Sequence, residues 1–124
     1  MSKQNVIADK SFDFAVRVVN LYRYLCDEKR ELILSKQLLR SGTSVGANVS
    51  EALQAQSKRD YLSKMNIALK EASETLYWIR LFHATDIIDD KQKESIYNDC
   101  NEIVSILVAI IKTTKKSLEN NDGK

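Results

Sequence analysis

One face of the predicted second helix carries polar side chains of the kinds that bind ligands or fix helix contacts. Five residues follow one another at spacings of three, four, four and three, which keeps them on one side of a helix: Gln37, Arg40, Ser44, Asn48 and Glu51. Glu71 and Glu74 lie on the predicted third helix, where an arginine nearby would form charge-assisted hydrogen bonds. This set fits either a site for a polar ligand or nucleic acid, or a paired network that fixes helix register or subunit contacts. We favour the network, because buried polar groups are paired in any fold.

Basic side chains form the second candidate site, because they bind phosphate groups. Lys58, Arg59 and Lys64 cluster at the start of the predicted third helix, where the helix dipole disfavours cations. This position favours a functional role, and we predict that they contact nucleic-acid phosphates. Arg17 and Arg23 of the first helix are further candidate contacts. A second basic group ends the fourth helix, where the dipole alone explains it: Lys112, Lys115 and Lys116.

No pattern of a metal or catalytic centre stands out in the sequence. A di-iron bundle needs paired Glu-x-x-His motifs, whereas the single histidine, His83, has Arg80 at that spacing. Cys26 and Cys100 match no metal or redox spacing and have apolar neighbours, which predicts buried free thiols. Glycine-rich phosphate loops and nucleophile elbows are missing from the sequence as well. We therefore expect no enzyme, no metal and no cofactor.

The composition indicates the kind of fold that positions these residues. The chain has 124 residues, no proline and three glycines, with 44% hydrophobic and 29% charged residues. This size fits one domain, and the composition excludes disorder and a fold dominated by sheets and turns. The net charge of +2 is below that of a dedicated nucleic-acid binder. No apolar run approaches the roughly 18 residues of a membrane span, and residues 1–10 lack a signal core, so we expect a cytoplasmic protein.

Apolar residues at helical spacing predict four helices in one domain, residues 1–119, followed by a flexible tail, residues 120–124. The helices are predicted at about residues 9–27, 32–56, 57–85 and 90–119. Short turns between long helices predict an all-α, antiparallel up-down-up-down four-helix bundle. The apolar faces predicted for the helices are wide, so part of the apolar surface is left for another copy of the chain to cover. This predicts a homo-oligomer.

Local signals refine the helix ends and interiors. Ser11 is a predicted N-cap, and Ser57 with Asp60 three residues later matches the capping-box pattern. The centre of the second helix contains poor helix formers, including Gly42 and Gly46, but the apolar period continues on both sides. We therefore predict a continuous helix there, with small residues that allow a close helix approach.

Heptad seams are predicted to face the core on the last two helices. The seam of the third helix consists of Leu62, Met65, Leu69, Ala72, Leu76, Ile79 and His83. The seam of the fourth helix consists of Ile96, Cys100, Ile103, Leu107, Ile110 and Thr114.

Four stretches of the sequence resemble a known family. They are Ser11-Phe12, residues 37–41 (QLLRS), residues 44–52 (SVGANVSEA) and residues 68–78 (ALKEASETLYW). Together they look like the bacterial four-helix-bundle family encoded within 23S rRNA intervening sequences, over about residues 11–115.

The resemblance implies an all-α bundle that assembles into a homopentamer. A related branch is similar to accessory proteins of diversity-generating retroelements, which bind nucleic acid and a reverse transcriptase through basic surfaces. The polar positions of the family correspond here to Arg40, Asn48, Glu51 and Glu71, for which we expect a structural role first.

We predict a non-enzymatic, homo-oligomeric bundle that binds nucleic acid, RNA in preference to DNA, through backbone phosphates. The alternative is a protein-interaction scaffold or accessory subunit that binds no nucleic acid, in which Trp78 or Tyr77 docks a partner chain. An enzyme ranks last.

Overall fold

Four α-helices make up the computed structural model, which describes the backbone of residues 3–122 and the side chains of residues 5–120. They are α1 (Lys3–Asp27), α2 (Leu34–Ala52), α3 (Lys58–Ala84) and α4 (Asp90–Asp122). Each helix packs against the next, and α1 also packs against α4, so the four helices surround one core. Within the described residues there is no strand, and no helix is both long and apolar enough to cross a membrane.

α1 begins at Lys3, earlier than predicted, because Ile7 extends its buried stripe. That stripe consists of Ile7, Ser11, Phe14, Val18 and Leu25. Ser11 lies inside the helix and donates a hydrogen bond to the Ala8 carbonyl oxygen at 3.2 Å, so its predicted N-cap role is wrong. Phe12, which follows Ser11 in the sequence, lies outside this stripe and is 68% exposed. Burial of Ile7 in the core therefore accounts for helical structure before the predicted start at residue 9.

The centre of α2 is helical, as predicted, and its glycines let α1 approach closely. A Cβ atom added at Gly42 would lie 2.7 Å from both Cγ atoms of Val18. One added at Gly46 would lie 3.1 Å from the carbonyl oxygen of Ser11. Glycine costs helix propensity at both positions, but a larger residue would push α1 away.

The core face of α3 contains Met65, Ala72 and Ile79 of the predicted seam, and its other residues are shifted by one position. Its buried residues are Met65, Ala68, Ala72, Thr75, Ile79 and Phe82. Four of the predicted seam residues are only partly buried: His83, and three leucines that pack around the edge of the core, Leu62, Leu69 and Leu76. Small side chains, Ala68, Ala72 and Thr75, thus occupy the middle of the buried face of α3, and leucines lie at its flanks. On α4, every predicted seam residue except the half-buried Thr114 is buried.

Side-chain caps fix the starts of α3 and α4. Ser57 Oγ accepts a hydrogen bond from the backbone N–H of Asp60 at 3.1 Å, as the capping pattern predicted. Before α4, the backbone N–H of Asp89 donates to Gln92 Oε1 at 2.9 Å, and that of Gln92 donates to Asp89 Oδ1 at 2.8 Å. These bonds satisfy N–H groups that a helix start leaves unpaired.

The end of α4 overlaps the predicted flexible tail. The helix continues to Asp122, beyond the predicted end at residue 119. Residues 123–124 lie outside the described residues, so flexibility of the tail stays a prediction.

Candidate nucleic-acid interface

Arg40 of α2 lies against two carboxylates of α3. Its Nη1 donates to Glu71 Oε2 at 3.1 Å, and its Nη2 donates to Glu74 Oε2. Trp78 Nε1 donates to the same Glu74 oxygen at 3.0 Å. The Arg40 side chain is 48% exposed, whereas that of Glu71 is 14% exposed. The cluster therefore joins α2 to α3 near the surface and gives the indole N–H of Trp78 a partner.

The other two polar positions of the predicted network lie apart from this cluster. Asn48 Nδ2 donates to the Ser44 carbonyl oxygen at 2.8 Å, and the Ser44 hydroxyl donates to the Arg40 carbonyl oxygen at 2.6 Å. Glu51 is exposed, and within the described residues no side-chain bond links it to Arg40, Asn48 or Glu71. The structure thus brings Arg40 together with Glu71 and leaves Asn48 and Glu51 elsewhere on α2.

A buried polar contact beneath the cluster was missed by the sequence reasoning. Thr75 Oγ1 lies 2.9 Å from Ser41 Oγ and 2.8 Å from the Glu71 carbonyl oxygen. Both side chains are fully buried, and every buried side-chain polar atom of the described residues has a partner. The sequence did contain a signal for this contact. Ala68, Ala72 and Thr75 are small residues at spacings of four and three, which places them on one face of α3.

The basic end of the bundle is formed where the start of α3 meets the end of α4. Lys58 Nζ donates to Ser117 Oγ and so joins the two helices. Lys58 and Arg59 are exposed, and Lys64 lies half-buried further along α3. The second basic group lies on the same stretch of α4 as Ser117, and all its members are exposed: Lys112, Lys115 and Lys116. Two lysine groups that are far apart in the sequence therefore share one end of the molecule.

Arg17 and Arg23 lie outside this basic end. Arg17 reaches α4, where it donates to Asp99 and, at 2.9 Å, to Ser95 Oγ. Its charge is therefore offset by a carboxylate. Arg23 is exposed and lies further along α1, away from the start of α3.

His83 and the two thiols have structural surroundings. His83 Nε2 lies 2.7 Å from Asp90 Oδ1, which links the end of α3 to the start of α4. Cys100 Sγ donates to the Ala72 carbonyl oxygen at 3.4 Å, and burial raises the pKa of this thiol to about 12. Cys26 is a free thiol and half-buried rather than buried. Among the described residues, no three potential ligands gather into a metal site.

An apolar groove lies on the outer face between α1 and α2. Phe12, 68% exposed, and Leu53, 40% exposed, border a cavity of about 360 Å³. The rest of its lining includes small side chains: Ala8, Ala15, Gly46 and Ala47. The face therefore combines a protruding aromatic ring with a recess lined by small residues.

The two aromatic residues considered for partner docking differ in exposure. Tyr77 is 53% exposed, whereas Trp78 is partly buried and packs against the core. Their ring centroids are 5.1 Å apart in an edge-to-face arrangement. Tyr77 is therefore the more accessible of the two.

The helices and their shared core define an all-α, four-helix protein. The chain belongs to the 23S rRNA-intervening sequence protein family, whose profile matches residues 3–109. It is also similar to a protein of unknown function from the S23 ribosomal protein family of Bacteroides thetaiotaomicron, known from a crystal structure at 1.70 Å resolution. The two chains are 57% identical with a TM-score of 0.88, and the match covers 90% of this chain and 99% of that chain. Among curated proteins, none matches significantly. The predicted family resemblance is confirmed.

Proposed function

We propose that the chain is a cytoplasmic, non-enzymatic, homo-oligomeric bundle that binds nucleic acid through backbone phosphates at its basic end. The observation that carries this proposal is the contact of Lys58 with Ser117, which lies on the stretch of α4 that carries Lys112, Lys115 and Lys116. Cations grouped on adjacent helices attract phosphates, and binding releases the counterions condensed on the nucleic acid. We place RNA before DNA as the target; the family name gives the location of the genes, within 23S rRNA intervening sequences, so the choice rests on the binding experiment below.

We also propose that the four helices have an up-down-up-down topology. Lys58 at the start of α3 contacts Ser117 near the end of α4, whereas His83 near the end of α3 contacts Asp90 at the start of α4. The ion pairs between α1 and α4 follow the same reversed order. These contacts support antiparallel neighbours, and this topology gathers the start of α3 and the end of α4 at one end.

Self-association through the groove between α1 and α2 would cover its exposed apolar surface. Phe12 of one copy fits the chemistry of the recess on another, and the family resemblance favours a pentamer. Repetition of the basic end around an oligomer would raise the local potential, although the chain carries a net charge of only +2. Light scattering tests this part: we expect Phe12→Ser to lower the mass, and Val108→Ser, exposed on α4, to leave it unchanged.

A salt series with a labelled structured RNA and a matched DNA duplex tests the function. We expect tight binding at low salt and steep weakening as salt rises, with RNA bound more tightly. The double variant Lys58→Gln/Arg59→Gln should lower the slope of log affinity against log salt by about 0.7–0.9 per lost phosphate contact. The matched control, Lys36→Gln/Lys91→Gln, removes exposed cations away from the basic end and should leave the slope unchanged. Absence of binding at low salt, or an equal loss in both variants, would overturn the proposal.

A protein-interaction scaffold is the second candidate function. The exposure of Tyr77 beside Trp78 favours it, because exposed aromatic residues often anchor partner chains. This function predicts capture of a partner that survives nuclease treatment and is lost in Tyr77→Ser. Loss of capture on nuclease treatment would instead favour nucleic-acid binding.

A further inference from the structure

A cavity of about 450 Å³ opens at the basic end, where the turn between α2 and α3 meets the end of α4. Its size lies within the range of about 300–1,000 Å³ that is typical of small-molecule sites. One part of its lining is apolar and is formed by Ala52, Leu53, Ala55 and the ring of Tyr61. The other part is polar and comes from the first turn of α3 and the last turns of α4. A ligand that fills the cavity therefore needs both an apolar and a polar portion.

Among the described residues, the polar part of the lining offers a cation and hydrogen-bond donors but no carboxylate. Lys58 is the one charged side chain that the described residues contribute to the lining, and its ammonium group has two N–H donors besides the one directed at Ser117. Ser57 Oγ already accepts from the N–H of Asp60, and Ser117 Oγ accepts from Lys58, so both hydroxyl groups have a hydrogen to donate. The nearby carboxylate of Asp60 accepts from the backbone N–H of Gln56 at 3.4 Å. The polar part of the lining is therefore suited to an anion.

The apolar part of the lining distinguishes among anions. A bare inorganic anion would satisfy Lys58 but would leave the surface of Ala55 and Tyr61 in water. A ligand with a flat, largely apolar ring and one phosphate group uses both parts. Nucleotides combine these two features, and their bases stack on aromatic side chains without sequence preference.

We propose that this cavity binds one nucleotide unit. Its phosphate receives hydrogen bonds from Lys58, Ser57 and Ser117, and its base lies against Leu53, Ala55 and Tyr61. The inference rests on the proposed function in one respect, because a strand held at the basic end would supply its 5′-terminal nucleotide. A free nucleoside monophosphate has the same chemistry, so the experiment separates the two sources.

Calorimetric titrations with adenosine 5′-monophosphate, inorganic phosphate and adenosine test the site. We expect the nucleotide to bind about tenfold or more tightly than either of its parts. Lys58→Gln should weaken its binding by about tenfold or more, because a charged hydrogen bond is lost. Thr113→Trp, which places an indole on the cavity lining and leaves every cation in place, should abolish it.

Two matched controls separate the cavity from its surroundings. Lys112→Gln removes a cation of the same end that does not line the cavity, and Asn101→Trp adds an indole at an exposed site elsewhere on α4. Both should bind the nucleotide as the parent protein does. Thermal unfolding shows which variants are folded, and Lys58→Gln decides the outcome if Thr113→Trp is not.

The possible outcomes separate this inference from the proposed function. Absence of nucleotide binding at millimolar concentration, or equal weakening in Lys58→Gln and Lys112→Gln, overturns the nucleotide site even if long RNA still binds with a steep salt dependence. Nucleotide binding without RNA binding at low salt supports the site and overturns the proposed function. A 5′-phosphorylated oligonucleotide that binds more tightly than its 5′-hydroxyl form supports a strand end as the source. Equal binding of the two forms, with the mononucleotide still bound, supports a free nucleotide.

Discussion

α1 contacts its two neighbours through different kinds of surface, and the contact with α2 depends on shape. Gly42 leaves space for the methyl groups of Val18, and Gly46 leaves space for the backbone of Ser11. No charged side chain takes part in either approach. The seam between α1 and α2 is therefore fixed by steric fit and should be insensitive to salt.

The contact of α1 with α4 depends on charge at its surface. Lys10 Nζ lies 2.6 Å from Glu102 Oε1, and this pairing raises the pKa of Lys10. Arg17 pairs with Asp99, and the four side chains are 39–53% exposed. Exposed pairs contribute little to stability and are screened by salt. Steric fit in the interior therefore holds this fold together, whereas the surface ion pairs align the seam between α1 and α4.

The largest effect is expected from filling the space at Gly42. In Gly42→Leu, the new side chain meets Val18, and overpacking should lower the free energy of unfolding by about 3 kcal/mol. Denaturant titration measures this change. Gln37→Leu, exposed on the same helix, should change it by less than about 0.5 kcal/mol, and Val18→Ala should partly restore Gly42→Leu. Similar losses of unfolding free energy in Gly42→Leu and Gln37→Leu would show that steric fit does not fix the seam between α1 and α2.

The buried bond between α2 and α3 should give the next largest effect. Thr75→Val leaves Ser41 without its best partner, and we expect a loss of about 2 kcal/mol in the free energy of unfolding. Ser41 Oγ would keep only its long hydrogen bond to the Leu38 carbonyl oxygen, at 3.5 Å. Because the cost comes from this poorly bonded hydroxyl, Ser41→Ala/Thr75→Val should be more stable than the two single losses predict. Strict additivity of the two changes would contradict a direct bond.

Cys100 provides a pH test of the interior between α3 and α4. Its thiol ionises near 9.0 when exposed, and burial raises the pKa to about 12 in the folded protein. Its contribution to stability is therefore complete below about pH 9 and is lost as pH rises toward 12. At pH 10 the parent protein should lose roughly 1 kcal/mol more than Cys100→Ala does, each relative to pH 7. Parallel pH profiles for the two proteins would show that the thiol is accessible when folded.

The smallest effect is expected at the ion-paired seam. Arg17→Gln should lower the free energy of unfolding by about 0.5 kcal/mol at low salt, because the pair with Asp99 is exposed. The difference should disappear near 1 M salt, where the screening length is about 3 Å. Arg23→Gln, an exposed arginine of the same helix, serves as the control and should change nothing at either salt concentration. A loss that persists at high salt would place this pair among the interior contacts.

Periodicity in the sequence predicted most of what depends on a single helix. The seam of α4 was predicted from Ile96 to Ile110, and the centre of α2 was predicted to be helical despite Gly42 and Gly46. The helical stretch of α1 before residue 9 could not be predicted from local signals, because burial of Ile7 stabilises it only when the core has assembled. On α3 the heptad pattern predicted that the leucines face the core. Packing instead buried smaller residues such as Thr75.

The candidate site shows the same division between local and tertiary information. Lys58 and Arg59 were found from their unusual place at a helix start. The proximity of Lys58 to the end of α4 depends on how the helices pack. So does the cavity that lies there between the turn before α3 and the end of α4. The contact between Arg40 and Glu71 could be expected because their helices are consecutive, but the neighbours of Asn48 and Glu51 could not.

The order of the helices around the core has a consequence for folding kinetics. Three of the four contacts between the described helices join neighbours in the sequence, whereas the contact between α1 and α4 joins the first helix to the last. Helical hairpins close short loops at low entropic cost, so the first three contacts can form rapidly and independently of the fourth. We therefore expect α1 to meet α4 last during refolding. Their seam should also open first in native-state fluctuations, where amide hydrogen exchange would detect it.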